Sequence, residues 1–166
     1  MNLIATVLYD LPVAVARRLW WLAPLVARIT VGGVFVTTGW GKLHNLPKII
    51  DYFTELGIPH PELQAPFASA NEFVCGLLVL VGLATRVASI PLIIVMLVAI
   101  RTAQWENVDG IGSLVGLLEF SYIALLVWLG TDGPGPLSLD RLIGRVAELR
   151  ADAPTAAAPA ARRAAV

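Results

Sequence analysis

At 166 residues the chain suffices for one soluble domain, or for four or five membrane spans joined by short loops. Apolar residues make up 57% of it and charged residues 14%, against roughly 45–50% and about 25% in soluble domains, which is too little charge for a surface facing water. Twelve basic and twelve acidic side chains cancel, so no net field favours nucleic acid and the bulk partner implied is the lipid bilayer.

Residues 1–21 are expected to form a cytoplasmic N-terminal segment ending in Arg17, Arg18 and a pair of tryptophans. Four apolar stretches follow, at about 22–40, 66–84, 87–104 and 111–130. Each approaches the roughly 20 helical residues that cross a hydrocarbon core of about 30 Å. Continuous apolar runs predict helices rather than alternating barrel strands. The first run is longer than a signal-peptide core and lacks a small-x-small end, so it reads as an uncleaved span. The predicted class is therefore an all-α, integral membrane four-helix bundle over residues 22–130.

Between the first two spans, Pro47 to Leu56 places Ile49, Ile50, Phe53 and Leu56 on one side of a short amphipathic helix. Gly57 offers a left-handed stop and Pro59 follows. This helix is expected to lie in the interface or to cap the mouth of a cavity between the spans. After the fourth span, residues 131–150 predict a turn and a second amphipathic helix. Ser138 stands at its N-cap and Asp140 in its first turn. From Ala151 to the end, Ala, Pro and Arg dominate, a composition expected to be disordered.

Basic residues near the span ends set the orientation. Arg17, Arg18, Arg86, Arg141, Arg145 and Arg150 lie on one side, and Lys42, Lys48 and Arg101 on the other. Six against three predicts both termini in the cytoplasm.

Ionisable groups inside spans cost roughly 2.5–3.5 kcal/mol each on insertion scales, so each needs a reason. Arg28, Glu72 and Glu119 are the clear cases, with Arg101 near the outer end of the third span and Lys42 just beyond the first. At about 1.5 Å per residue, Glu72 and Glu119 lie roughly 9–12 Å below the outer boundary, within reach of the long stems of Lys42 and Arg101. Two acids and two bases from four spans are thus expected to share one layer. Arg28, Gly32, Phe35, Gly39 and Lys42 fall on one helical stripe. So do Ala68, Glu72, Gly76 and Val79, and so do Gly112, Gly116, Glu119 and Ile123. Small residues on a stripe let helices approach closely, and so the glutamates are predicted to point into the bundle.

Such a layer has two readings. The charges lock the helices in register, or they line a cavity, open outward, that takes a quinone head group or an oxyanion. In the second reading Glu72 and Glu119 are the chemical groups, because a partly dry carboxylate can exchange protons with a quinone. Lys42, Arg101 and Asn71, which adjoins Glu72, would then hold the substrate. His44 and His60 lack a clustered third ligand, so no metal site is expected. Cys75, the lone cysteine, can form neither an intrachain disulfide nor a CxxC pair and reads as packing. The five tryptophans fall at span ends, as aromatic belts do. Arg28 and Arg86, on the cytoplasmic side, are candidates to hold Asp132, Asp140 or lipid phosphates.

The run RITVGGVFVTTGWGKL, then GIP, then NEFVCGLLVLVGLATR, and finally GPGPLSLD resembles the DoxX family of small membrane proteins, in order and spacing, from about Arg28 to Asp140. The resemblance implies four helices in the bacterial plasma membrane and a tie to oxidoreduction. Relatives serve as a membrane subunit of thiosulfate:quinone oxidoreductase. It also implies that Arg28, Lys42, Glu72, Arg86 and Asp140 are the recurring polar positions. No flavin, haem or iron–sulfur ligand pattern occurs. No covalently bound cofactor is therefore expected, and an electron carrier would be a quinone or belong to a partner redox subunit. Two functions compete on this sequence, with a small-solute transporter as a third class. One is a quinone-facing oxidoreductase or redox subunit; the other is a non-catalytic scaffold or assembly factor, alone or as a homo-oligomer.

Overall fold

The computed structural model describes residues 10–151, and every element among them is helical. The expected disorder beyond Ala151 lies outside these residues. The segment before the first span contains a short helix the periodicity did not predict, α1 (Leu11–Leu19), with a proline in its first turn, where the missing N–H costs nothing. The first span is α2 (Leu22–His44). The amphipathic loop helix forms as expected, as α3 (Leu46–Glu55), and Gly57 follows it at φ +68°. The second span, α4 (Pro61–Val81), starts five residues earlier than predicted, at a proline. The third, α5 (Thr85–Ala99), continues through a π turn at Ile100–Gln104 and a 3₁₀ turn at Trp105–Asn107. These three continuous helices are long and apolar enough to cross a membrane.

The fourth apolar stretch departs from expectation. It is two helices, α6 (Ile111–Gly116) and α7 (Leu118–Asp132), separated by Leu117 in extended conformation with ψ 140°. Gly112 and Gly116 lower helix propensity just before the break. The Leu117 N–H closes α6 onto the Leu114 carbonyl. α8 (Leu139–Ala151) completes the described chain.

α2 packs chiefly on α4, α4 on α5 and α5 on α7, with α3 laid against α4. Val31, Phe35, Val79, Leu92, Leu126 and Leu129 form the buried centre. The α2–α4 contact explains the two predicted small-residue stripes. A Cβ on Gly32 would stand 2.7 Å from the Leu80 nitrogen, one on Gly39 2.5 Å from the Phe73 nitrogen, and one on Gly76 2.7 Å from the Phe35 Cβ. The third stripe does not pack this way, since a Cβ on Gly112 or Gly116 meets nothing within 4 Å. Gly39→Ala should therefore lower thermal stability in detergent by about 1–3 kcal/mol, the usual scale of overpacking. Gly41→Ala, whose Cβ would meet nothing within 4 Å, should be neutral or slightly stabilising.

At the end of the bundle away from α3, the loop after α7 folds onto the α4–α5 turn. Arg28 is 1% exposed and donates from Nη2 to the Leu137 carbonyl at 2.5 Å. The Asp140 N–H donates to the Gly82 carbonyl at 3.0 Å, and its Oδ1 accepts the Ala84 N–H at 2.9 Å. Ser138 caps α8 as predicted, accepting the Arg141 N–H at 3.3 Å. Arg28 thus holds a backbone carbonyl rather than Asp132 or Asp140. Arg86 is exposed near Gly133.

Candidate functional site

The α3 half of the bundle encloses a cavity of about 480 Å³ lined by α2, α3, α4, α5 and α7. That volume lies within the roughly 300–1,000 Å³ of small-molecule sites. Its walls are mostly apolar, with Val34, Phe35, Phe67, Ile94, Val95 and Met96 among them. Its polar groups are Lys42, Glu72, Thr38, Gln104, Glu119, Tyr122, Gln64, Tyr52 and Thr102. Apolar walls with sparse convergent polar groups suit a ligand that is greasy over most of its surface.

Glu72 sits midway along α4, one turn from Gly76, which lets α2 approach, and is 2% exposed. The Lys42 ammonium, at the last turn of α2, donates to Oε1 at 2.6 Å and to Oε2 at 2.8 Å. Thr38, one turn earlier, reaches Oε2 at 3.5 Å. The Lys42 side chain is 35% exposed, so the pair joins a buried carboxylate to a cation at the cavity's edge. It is the one ion pair found among the described residues.

Glu119 occupies the first turn of α7, directly after the Leu117 break. It is half-buried, and its Oε1 accepts from Gln104 Nε2 at 3.3 Å. Gln104 in turn accepts from Asn107 Nδ2 at 2.9 Å. An amide chain thus runs from the 105–110 loop to a cavity carboxylate.

Three predicted residues, Glu72, Glu119 and Lys42, meet at this cavity. Two others do not. The Arg101 side chain is exposed and lies over the Trp105 ring, 5.0 Å from its centroid. The π turn adds a residue between Ala99 and Trp105, so a face counted at 3.6 residues per turn does not carry across it. Gln104 is the side chain that α5 delivers instead, a position the sequence marked only as a span end. Asn71 stands beside Glu72 but accepts the Cys75 thiol at 3.2 Å and does not line the cavity. Cys75 is half-buried against the core, as a packing residue should be. His44 stacks on Trp40 at 4.2 Å, with Nδ1 2.9 Å from the Trp40 carbonyl. Among the described residues no group of three or more His, Cys, Asp or Glu is placed to hold a metal.

Apolar helices of spanning length with ion-paired charge buried between them define an all-α, multi-pass membrane protein. The chain belongs to the DoxX family, whose model matches residues 23–105. It is 34% identical to an uncharacterized membrane protein of Mycobacterium tuberculosis, over 71% of this chain and 79% of that one. It is 29% identical to the inner membrane protein YqjF of Escherichia coli, over 78% and 98%. It is also 28% identical to the Bacillus subtilis protein named "Putative oxidoreductase CatD", over 74% and 87%. No solved structure matches.

Proposed function

We propose that the protein is a quinone-facing component of a redox system in the bacterial plasma membrane, with both termini in the cytoplasm and the cavity in the outer half. The observation that carries this reading is the cavity itself, a mostly apolar chamber whose polar groups converge from α2, α3, α4, α7 and the turn that continues α5. The relative named as an oxidoreductase supports it. A bound quinone supplies reversible two-electron, two-proton chemistry, its electrons exchanged with a partner redox subunit.

The chain's own residues bind and orient. The Lys42 ammonium, held by Glu72, has donor capacity left for a head-group oxygen. The Tyr122 hydroxyl, on α7, lines the same chamber and offers a further hydrogen bond. Glu119 is a carboxylate with an amide rather than a cation as its neighbour, so it can accept a proton from a head-group hydroxyl. The apolar walls keep bulk water from that exchange.

Titration of the purified protein with a menaquinone or ubiquinone analogue should show saturable binding. Glu119→Gln or Glu72→Gln should weaken it about tenfold, the scale of one hydrogen bond to a charged group. Unchanged affinity in both variants counts decisively against a head-group site here.

The mutual satisfaction of Lys42 and Glu72 favours a second reading, a scaffold whose buried charges fix helix packing. In that case the exchange Lys42→Glu with Glu72→Lys keeps biological function, which a chemical role would not tolerate.

A further inference from the structure

The cavity has two kinds of boundary. Toward the loop end it is roofed by Tyr52 and Phe53 of α3 and by Leu56 and Ile58 just after it. These residues present a mostly apolar ceiling, with the Tyr52 hydroxyl its polar group. On the flank, the lining residues are themselves exposed. Phe67 of α4 is 73% exposed, and Ile94 and Val98 of α5 are 55% and 46% exposed, yet all three line the chamber; Leu118 of α7, 61% exposed, and Tyr52 of α3, 45% exposed, mark its other edges.

A side chain both lining a cavity and exposed outside stands on its rim. α4 and α5 form an antiparallel hairpin around the Gly82–Ala84 turn. Counted from Leu83, Glu72 and Ile94 each stand 11 residues away, and Phe67 and Ala99 each stand 16. The rim residues therefore face one another across the α4–α5 gap, from the level of Glu72 outward. Both helices are of membrane-spanning length and composition, so this gap opens toward acyl chains, not water.

We infer that the ligand enters this cavity sideways from the bilayer, between α4 and α5, and that it is an isoprenoid-tailed quinone. Its head reaches the Lys42–Glu72 pair while its tail rests on the Phe67–Val98 rim. This rests on the function proposed above and adds the route and the tail. A freely soluble oxyanion crossing the apolar α4–α5 rim would lose its hydration with nothing there to replace it.

The route can be locked. Phe67→Cys with Val98→Cys, in a Cys75→Ala background, is joined by a reducible bis-methanethiosulfonate in liposomes. Entry of a long-tailed quinone is followed by quenching of intrinsic tryptophan fluorescence. Joining should slow entry at least about tenfold, well outside ordinary scatter in association rates, and reductant should restore it. Leu63→Cys with Thr102→Cys, about one turn nearer the loop, serves as a second lock should the first pair fold poorly. Unchanged entry with both locks closed overturns the route. Slowing produced instead by joining Val34→Cys to Leu118→Cys, across the α2–α7 side, overturns it equally. If the unlinked proteins and the parent bind no quinone at all, the proposed function fails and takes the route with it. Binding with unhindered entry fails the route alone.

Discussion

Lys42→Met should lower the stability of the protein in detergent by about 3–5 kcal/mol, among the largest losses expected of any single change in the cavity. The substitution keeps the length and apolar stem of the side chain and removes only its ammonium. Glu72, 2% exposed and bonded at both oxygens by that ammonium, would then be a buried carboxylate on the cavity wall with Thr38 as its remaining partner at 3.5 Å. Removing one partner of a buried pair costs more than removing both, because the survivor keeps its desolvation penalty. Adding Glu72→Met to Lys42→Met should therefore recover most of the loss. Thermal denaturation of the four proteins closes a double-mutant cycle. A double variant no more stable than Lys42→Met alone would show that the two groups do not depend on one another.

The cycle also separates the two readings of the charged pair. If the double variant is stable and still binds a quinone analogue normally, the pair is a register pin and nothing more. If it is stable and binding is lost, the structural and chemical roles come apart in one protein. A charge pair is a costly device for packing alone, since apolar residues of the same volume often serve as well.

Much of this architecture was legible in the sequence because membrane helices leave few alternatives. Span length, the α3 stripe from Ile49 to Leu56, and the stop at Gly57 follow from elementary periodicity and backbone freedom. The inward face of Glu72 followed from its place on a stripe with Gly76 and Ala68, and Lys42 was within stem's reach. What the pattern missed were departures from regular helix. The π turn at Ile100–Gln104 swaps Gln104 for Arg101 at the cavity, and the break at Leu117 puts Glu119 in a helix's first turn. Neither carries a strong local signal in a run of apolar residues. The partner of Arg28 was missed for another reason: it is a backbone carbonyl 109 residues away, and backbone groups have no signature in a sequence.

That contact leads to the other large expected effect. Gly82→Ala should leave little monodisperse protein on solubilisation, whereas Gly57→Ala should be merely weakened. Both glycines hold left-handed backbone, at φ +73° and +68°, so an added Cβ costs each about 1–2 kcal/mol in conformation alone. Gly57 pays nothing further, since its Cβ would meet nothing within 4 Å. At Gly82 the Cβ would fall 1.9 Å from Arg28 Nη1 and 2.7 Å from the Ser138 Cβ. The guanidinium cannot give way without leaving the Leu137 carbonyl, and it has no carboxylate to fall back on among the described residues. Its Nε is already buried without a partner, so displacement strands a buried charge, a penalty of about 3–5 kcal/mol. The same shift pulls Asp140 from the Gly82 carbonyl and the Ala84 N–H, undoing the start of α5 and the docking of the loop before α8. The two terms together approach the whole net stability of an ordinary domain, about 5–15 kcal/mol. Size-exclusion profiles and melting temperatures of the two variants, prepared side by side, measure the difference. Equal behaviour would mean that Arg28 has room the structure does not show.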